Sequence, residues 1–275
     1  MKGIDISYAN SLTIEDLKEL KTLYNLKFVI LRLGYSTNLD DKVENYAYMC
    51  RKLDLPVSFY HFSYATSLDK ALKEAEFVNT QVARFEDNPI LPIYFDFEYD
   101  SEDFYKKTNG CDITEKIYQS FYNIYEQNID YEVGIYFNTD YFNRFRSTIS
   151  KIPIEKRWIS YGDSNLAAIR QTQIAYKNSK IDFNDIYDEQ LQHNIDCYYR
   201  KGWHRRHNNW YYRNEEGMFI SGWLFHNHNY YYLSRNGKML TGLNNIVSAT
   251  GDNELYYFSP EDGHMMRTDE RGALK

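Results

Sequence analysis

The sequence predicts an α/β protein: an irregular (β/α) barrel followed by a small all-β solenoid of hairpin repeats. In the first 195 residues, short β-rich runs alternate with amphipathic helical periodicity, whereas an aromatic motif recurs at 20-residue intervals beyond residue 200. The composition changes at the same place, because residues 1–195 contain only five of the 13 glycines and one of the four tryptophans. We therefore expect a barrel domain over residues 1–195 and about three hairpin repeats over residues 200–275.

Strand-like runs and the helices between them support the barrel. The runs cover residues 3–7, 28–33, 56–60, 91–97, 133–137 and 157–161. Thr13 and Asp16 form a capping-box pattern that opens a first helix. Two later segments have apolar faces at helical spacing, formed by Leu68, Leu72, Ala75, Val78 and Val82 and by Ile113, Ile117, Phe121 and Ile124. This alternation indicates parallel strands; an open doubly wound sheet is the alternative, but it usually carries a glycine-rich phosphate loop, which the sequence lacks.

Charge and composition restrict the class of function. A net charge of −7, with Lys and Arg scattered along the chain, argues against a nucleic-acid binder, which would normally carry a basic stripe. The 28 tyrosines and 16 phenylalanines favour binding of carbohydrate or choline through aromatic faces, although about half of the tyrosines fit ordinary core positions. The three cysteines are widely spaced and predict neither a disulfide framework nor a metal site, so we expect no cofactor.

The run from Ile93 to Glu98 is a buried-strand pattern that ends in two carboxylates. Asp96 and Glu98 are two residues apart and therefore share one face of a strand, at the end that forms the mouth of an α/β barrel. Two carboxylates held close together raise the proton affinity of one, which gives an acid for a glycosidic oxygen. The alternative is a pair of strand-end carboxylates that cap backbone groups or pair with Lys.

Two carboxylates on one strand lie on the same side of the substrate, which is poor geometry for an acid opposed by a protein nucleophile. The arrangement suits substrate-assisted cleavage, in which the 2-acetamido group of the sugar attacks its own anomeric carbon. In this scheme Glu98 acts first as acid and then as base, and Asp96 orients the acetamido group.

Residues 1–190 resemble the family 25 glycoside hydrolases, the muramidases of phage and bacterial lysis enzymes. The motifs that carry the resemblance are Gly3-Ile4-Asp5-Ile6-Ser7, Phe28-Val29-Ile30-Leu31-Arg32, Val57-Ser58-Phe59-Tyr60-His61-Phe62, Tyr94–Glu98, Trp158-Ile159-Ser160-Tyr161-Gly162 and Ile181-Asp182-Phe183-Asn184. The resemblance implies that Glu98 is the general acid and Asp96 its partner, with Asp5 and Asp182 completing an acidic cluster at the barrel mouth.

The resemblance also implies that Tyr60 lines the sugar site, as Tyr136 could. Arg32 is expected either to hold the carboxylate cluster or to form a plain strand-end salt bridge. His61 is more often a hydrogen-bonded strand-end residue than a base. The family usually has Trp-Gln before its closing aspartate, whereas this chain reads Thr172-Gln173-Ile174, which puts one wall of the sugar groove in doubt.

The second part of the chain repeats in three registers. Gly202-Trp203, Gly222-Trp223 and Gly242-Leu243 begin the units, and Trp210, Tyr230 and Leu255 begin the second register. The pattern resembles the choline-binding repeats of cell-wall lytic enzymes, which implies a cation cage formed by Trp203, Trp210, Trp223 and Tyr230. Repeats of this class also bind α-glucan, and the aromatic residues could instead only hold the hairpins together. The third unit has lost both aromatic positions and is expected to be a cap. His226 and His228 alternate without a third metal ligand, so we expect no metal.

These features predict a peptidoglycan muramidase that its repeats hold on a choline-bearing teichoic acid or another wall polymer. A catalytically weak wall- or glucan-binding protein and a chitinase-like hydrolase are the alternatives; a zinc amidase or a cysteine peptidase lacks the necessary motifs. The start of the sequence shows no signal-peptide pattern and no apolar run is long enough to span a membrane. We therefore expect synthesis in the cytoplasm and release through a phage holin. The last repeat either caps the solenoid or pairs with a second copy.

Overall fold

The computed structural model describes residues 1–85, 89–206, 209–247 and 253–267. The chain divides into two compact units, Met1–Tyr198 and Tyr199–Lys275. The last eight residues of the predicted repeat module, and its residues 248–252, lie outside the described part. In the described part, no helix is both long and apolar enough to cross a membrane.

In its described residues the first unit contains nine strands and eight α-helices, together with two short 3₁₀ helices at Ile154–Lys156 and Ser164–Leu166. In chain order the elements are β1 Lys2–Ile6, α1 Ile14–Tyr24, β2 Phe28–Tyr35, β3 Asn38–Leu39, α2 Val43–Lys52, β4 Val57–Phe62, α3 Leu68–Val82, β5 Ile93–Asp96, α4 Tyr99–Asn109, α5 Glu115–Asn128, β6 Val133–Asn138, α6 Thr139–Arg144, α7 Arg146–Ile149, β7 Arg157–Ser160, β8 Ile169–Tyr176, β9 Ser179–Ile186 and α8 Glu189–Tyr199.

Eight of these strands close into a barrel, in the order β1-β2-β4-β5-β6-β7-β8-β9 and back to β1. Neighbours from β1 to β8 run parallel, whereas β9 is antiparallel to both β8 and β1. The short strand β3 extends the sheet only beside β2. The predicted barrel is confirmed, as is the capping box that Thr13 and Asp16 form at the start of α1.

The closing hairpin β8–β9 was not predicted, although it carries Asp182 and pairs with β1, the strand that carries Asp5. Its two-residue turn begins at Lys177, whose positive φ of 51° suits such a turn. Lys177 and Tyr176 bind the Asp16 carboxylate at the start of α1, which fixes the hairpin against that helix. In the resulting register, Asp182 on β9 lies opposite Asp5 on β1 and opposite Gln173 on β8.

Tyrosines rather than aliphatic residues form most of the buried face of α5. Tyr118, Tyr122 and Tyr125 are buried together with Phe121, so the helix is rotated from the face that the isoleucine spacing predicts. The hydroxyls of two of them are satisfied: Tyr122 donates to the Val133 carbonyl at 3.3 Å, and Tyr125 lies 2.8 Å from Nδ1 of His61. A buried tyrosine whose hydroxyl finds a partner serves as a large core residue.

The part of the second unit that the structure describes forms three β-hairpins. They pair β10 Gly202–Arg206 with β11 Asn209–Arg213, β12 Gly222–His226 with β13 Asn229–Leu233, and β14 Gly242–Val247 with β15 Asn253–Phe258. After each hairpin the chain turns at a glycine with positive φ: Gly217, Gly237 and Gly263. Hydrogen bonds then reach back one hairpin, because Met239 N donates to the Trp210 carbonyl and Met265 N to that of Tyr230. Tyr212, Leu224, Tyr231, Leu233 and Met239 form a small shared core.

Candidate active site

Four carboxylates line one cavity of about 310 Å³ in the barrel unit: Asp5, Asp96, Glu98 and Asp182. Asp96 is the last residue of β5, and Glu98 follows two residues later, immediately before α4. Asp5 and Asp182 reach the same cavity from the neighbouring strands β1 and β9. The closure of the barrel thus brings together acidic side chains that are up to 177 positions apart in the sequence.

Asp96 is almost fully buried, with 4% of its surface exposed. Its Oδ1 atom has no hydrogen-bond partner in the described part of the chain. Burial, together with the charges of Glu98 and Asp5, raises the pKa of Asp96 well above its usual value. Asp96 lines the cavity, but its Oδ1 atom is itself buried and lacks, within the described residues, the hydrogen-bond donor that a buried polar atom usually has.

Glu98 also retains its proton more strongly than a free glutamate. Burial, followed by the charges of Asp100 and Asp182, raises its pKa to about 7. The sequence predicted this direction but attributed it to Asp96. The structure gives a different cause, since desolvation is the main effect and the like charges that act on Glu98 come from α4 and β9.

Asp5 is held by a network of side-chain amides. Gln171 Nε2 donates to both Asp5 oxygens, at 3.0 and 3.1 Å, and Asn184 Nδ2 donates to Oδ1 at 2.7 Å. The orientation of the Asn184 amide is determined, because Trp158 Nε1 can only donate and lies 2.8 Å from Asn184 Oδ1. Burial and the charge of Asp182 raise the pKa of Asp5 to about 7, while the bonds from Gln171 and Asn184 lower it.

Asp182 is more exposed than Asp5 and Asp96. Gln173 Nε2 donates to its Oδ1 at 2.9 Å. Burial raises the pKa of Asp182, and this bond from Gln173 opposes the rise. Each of the two carboxylates on β1 and β9 therefore receives a glutamine amide from β8.

The predicted sugar-site tyrosines line the same cavity. Tyr136 donates to Gln171 Oε1 at 2.8 Å, which joins it to the amide network around Asp5. Tyr60 and Tyr136 both pack edge-to-face on Trp158, with ring centroids 5.9 and 4.6 Å away. Sequence reasoning quoted Trp158 only as part of a strand motif and did not assign Gln171 a role. Gln171 and Gln173 alternate along β8 and lie opposite Asn184 and Asp182 on β9. This alternation was the signal that could have identified the two glutamines.

Arg32 forms the strand-end salt bridge that was one of its two predicted roles. Its Nε lies 2.7 Å from Oδ2 of the buried Asp40, and its guanidinium packs over the ring of Tyr8 at 4.4 Å. No ion pair joins Arg32 to the four cavity carboxylates, all of which are described residues. Its charge nevertheless lowers the pKa of Asp96, against the larger effects that raise it.

Thr172 and His61 do not line the acidic cavity. The Thr172 hydroxyl donates to the Phe183 carbonyl, and the residue does not line the cavity, whereas its neighbours Gln171 and Gln173 do. The indole in the cavity wall is instead that of Trp158. His61 is fully buried between the Ser36 carbonyl and the Tyr125 hydroxyl, each at 2.8 Å, and burial lowers its pKa to about 4.

The aromatic residues predicted for a cage form two pairs on successive hairpins. Trp203 and Trp210 are 6.5 Å apart, and Trp223 and Tyr230 are 6.4 Å apart, both edge-to-face. Each tryptophan at the start of a hairpin also packs on a tyrosine of the next hairpin, Trp203 on Tyr231 and Trp223 on Tyr256, at 4.9 Å. The third hairpin exposes Leu243 and Leu255 at the corresponding positions. His226 is half-buried beside Tyr212, whereas His228 is exposed.

The cavity is suited to proton transfer at a glycosidic oxygen. It combines a carboxylic acid with a pKa near neutrality, a buried acceptor and two further carboxylates that stabilise positive charge. Among the described residues, no three His, Cys, Asp or Glu side chains are grouped to hold a metal ion. A barrel with acidic residues at the ends of its strands is a common framework for glycoside hydrolases.

The chain belongs to glycosyl hydrolase family 25, whose sequence profile matches residues 4–176. The matched part includes Asp5, Asp96 and Glu98 and ends before Asp182 on β9. No curated protein sequence matches the chain.

Solved structures share the fold. The modular autolysin LytC from Streptococcus pneumoniae is 20% identical, with a TM-score of 0.55 over 66% of this chain; the chain spans 46% of that protein. The catalytic domain of endolysin ply40 from bacteriophage P40 of Listeria monocytogenes is 16% identical, with a TM-score of 0.54 over 71% of this chain and 97% of that domain. The modular Cpl-1 endolysin, from phage Cp-1, is 19% identical, with a TM-score of 0.50 over all of this chain and 88% of that one.

Proposed function

We propose that the chain is an N-acetylmuramidase that hydrolyses the β-1,4 bond between N-acetylmuramic acid and N-acetylglucosamine in peptidoglycan. The observation that carries the proposal is the single cavity around Asp5, Asp96, Glu98 and Asp182, in which Glu98 has a pKa of about 7. Membership of family 25 supports cleavage of a glycosidic bond. The Cpl-1 endolysin was solved with a peptidoglycan analogue, which supports peptidoglycan as the substrate here.

The proposed reaction is substrate-assisted and retains the configuration at the anomeric carbon. Glu98 donates its proton to the glycosidic oxygen as the C–O bond breaks, while the acetamido oxygen of the same sugar bonds to the anomeric carbon. The carboxyl group of Asp96 accepts the acetamido N–H and so orients the attacking group. The Glu98 carboxylate then takes a proton from a water molecule that opens the cyclic intermediate, which returns Glu98 to its acid form.

Asp5 and Asp182 stabilise the positive charge that develops on the sugar. The amides of Gln171 and Asn184 stabilise the ionised form of Asp5, because an NH₂ group can only donate. The tyrosines and Trp158 form apolar walls that suit a sugar ring.

We further propose that the three hairpins hold the enzyme on the cell wall by binding an ammonium group such as choline. The exposed rings of Trp210, Trp223 and Tyr230 support this proposal. Arg267 already lies 5.9 Å from the centroid of the Tyr230 ring, so this face accepts a cation. Release across the membrane through a phage holin remains a prediction.

The test uses purified peptidoglycan and identifies the sugar at each new reducing end after borohydride reduction. The wild-type protein is expected to release muramic acid ends, and Glu98→Gln is expected to lower the rate by at least about 100-fold without loss of wall binding. Glu76→Gln, at an exposed position on α3, is the matched control and should cleave at the wild-type rate. Glucosamine ends would identify a chitinase-like enzyme instead, and wall clearing by Glu98→Gln at the wild-type rate would refute the assignment.

A further inference from the structure

Four buried polar side chains form a chain of hydrogen bonds between β4 and the helices α3 and α5. His61 lies on β4, Ser63 directly follows that strand, Glu74 lies on α3 and Tyr125 lies on α5. At most 1% of the surface of each residue is exposed, and none of the four lines the acidic cavity. Burying polar groups is unfavourable unless they are paired, so the way in which these four share their protons determines what they contribute.

The number of protons in this chain follows from its geometry. Nε2 of His61 lies 2.8 Å from the Ser36 carbonyl, which can only accept, so Nε2 carries a proton. The Tyr125 hydroxyl lies 2.8 Å from Nδ1 of His61 and 2.8 Å from Oε2 of Glu74. Because this hydroxyl has a single proton, either His61 or Glu74 must supply the second one. The chain therefore holds either an imidazolium with a carboxylate or a neutral imidazole with a carboxylic acid.

Burial favours the neutral pair. It lowers the pKa of His61 to about 4, and the charge of Arg32 lowers this pKa further, against the backbone hydrogen bond of the ring. Burial raises the pKa of Glu74, although the hydrogen bonds from Ser63 and Tyr125 oppose the rise. The attraction between two fully buried ions seldom offsets their desolvation. Glu74 is therefore a carboxylic acid that donates to Tyr125, and Tyr125 donates to Nδ1 of His61.

The same carboxyl group holds the segment that supports Asp96. The Ser63 hydroxyl donates to Oε2 of Glu74 at 2.6 Å, and the Tyr64 N–H donates to Oε1 at 3.1 Å. The Ser63 N–H donates to the Asp96 carbonyl at 2.8 Å, where Phe62 of β4 pairs with Asp96 of β5. Oδ1 of Asp96 has no hydrogen-bond partner among the described residues, so these backbone contacts determine where its carboxyl group lies.

We propose that Glu74 is a positioning residue for Asp96 and acts as a neutral carboxylic acid. Its hydrogen bonds fix the ends of β4 and β5 relative to α3 and α5. The inference rests on the proposed function, in which the carboxyl group of Asp96 orients the acetamido group. Displacement of an orienting group slows the chemical step more than it weakens binding, so loss of Glu74 should lower kcat and leave KM nearly unchanged.

Two substitutions at position 74 separate a neutral acid from an ionised one. Glu74→Gln keeps an acceptor for the Tyr64 N–H and a donor toward the Tyr125 hydroxyl, so kcat on peptidoglycan fragments should stay within about 2-fold of the wild-type value. Glu74→Leu has a similar volume and removes every hydrogen bond, so kcat should fall at least about 10-fold at nearly constant KM. Glu76→Gln and Glu76→Leu, at an exposed position on the same helix, are the matched controls and should change neither constant.

Two results would overturn the inference. Equal losses in Glu74→Gln and Glu74→Leu would mean that this position requires an ionised carboxylate, and a wild-type kcat in Glu74→Leu would mean that Glu74 does not position Asp96. If Glu74→Leu does not fold, Ser63→Ala takes its place, because it removes the hydroxyl that Glu74 accepts from. This variant should lower kcat about 3-fold at constant KM, and an unchanged kcat would contradict the inference.

Spectroscopy tests the inference without turnover. The infrared difference between the wild type and Glu74→Gln at neutral pH should contain the C=O stretch of a protonated carboxyl group, and carboxylate bands alone would refute the neutral acid. The NMR signal of the Asp96 carboxyl carbon should shift in Glu74→Leu but not in Glu76→Leu. If both signatures occur in a protein that cleaves no peptidoglycan, the proposed function fails and the positioning of Asp96 by Glu74 stands.

Discussion

Asp5 and Asp96 line the same cavity but differ in the number of hydrogen bonds that they accept. Asp5 accepts three hydrogen bonds from two amide groups, whereas Oδ1 of Asp96 has no partner among the described residues. Amide donors stabilise the charged form of a carboxylate, and burial without donors stabilises the neutral form. The amide bonds lower the pKa of Asp5, which burial and Asp182 still raise to about 7, whereas no hydrogen bond from a described residue lowers the raised pKa of Asp96.

Trp158→Phe tests whether the amide bonds lower the pKa of Asp5. The change keeps an aromatic ring but removes the indole N–H that orients Asn184, so the Asp5 carboxylate loses a dependable donor and its pKa should rise. Asp5 would then stay protonated to a higher pH, and the acidic limb of the pH profile of kcat/KM should move up by about one pH unit.

Tyr94→Phe is the control for this prediction. Tyr94 packs on the same indole at 5.2 Å, and its buried hydroxyl has no partner in the described part of the chain, so its loss should leave the limb in place. If the acidic limb of the kcat/KM profile lies at the same pH in the wild type and in Trp158→Phe, the amide network around Asp5 does not control the ionisation of Asp5.

The sequence identified the acidic residues but not the groups that hold them. Asp5, Asp96 and Glu98 occur in local motifs, so their presence in a site could be predicted from short segments. Gln171 and Asn184 bind Asp5 across 166 and 179 positions, and no local pattern encodes such contacts. The cause of the raised Glu98 pKa was misjudged partly for the same reason, since burial in the folded barrel is its largest cause, followed by the charges of the adjacent Asp100 and the distant Asp182.

At the scale of elements, Asp40 connects three parts of the barrel mouth. It accepts from the backbone N–H of Tyr8 after β1 and of Lys42 before α2, and it pairs with Arg32 on β2. Asp40→Asn would leave the Arg32 guanidinium without its carboxylate in a site with little exposure to solvent. We expect a loss of about 3 kcal/mol in the free energy of unfolding, measured with urea.

Glu44→Gln provides the comparison for Asp40→Asn. Glu44 pairs with Arg84 on the surface, where both side chains are more than half exposed, so its loss should change stability by less than about 0.5 kcal/mol. If the two substitutions lower the free energy of unfolding by similar amounts, Asp40 does not stabilise the mouth of the barrel.

The helices and strands could be predicted from the sequence where all of their buried side chains face an apolar environment. The parallel strands are short apolar runs because helices cover one side and the barrel core fills the other. The hairpin β8–β9 was missed because it borders the polar cavity, and glutamines and asparagine replace apolar residues on its inner face. The tyrosine face of α5 was missed because hydroxyl partners such as His61 become visible only in the folded chain.

At the scale of the whole molecule, the proposed wall binding depends on exposed aromatic rings. Replacing both Trp210 and Tyr230 by alanine should abolish retention on walls that carry choline, while hydrolysis of soluble fragments stays at the wild-type rate. Millimolar choline should release the wild-type protein to the same extent.

Leu243→Ala with Leu255→Ala is the control, because these two side chains are even more exposed on the third hairpin but carry no aromatic face. Retention that survives both the aromatic substitutions and choline would exclude choline as the ligand.

The most direct test of the account compares two leaving groups in the Glu98→Gln protein. General acid catalysis matters for a sugar hydroxyl but little for a dinitrophenolate, which leaves without a proton. The variant should therefore lose at least about 100-fold in kcat/KM on peptidoglycan fragments and retain most of the wild-type rate on a dinitrophenyl glycoside of the same sugar. Equal losses on both substrates would contradict the assignment of Glu98 as the proton donor.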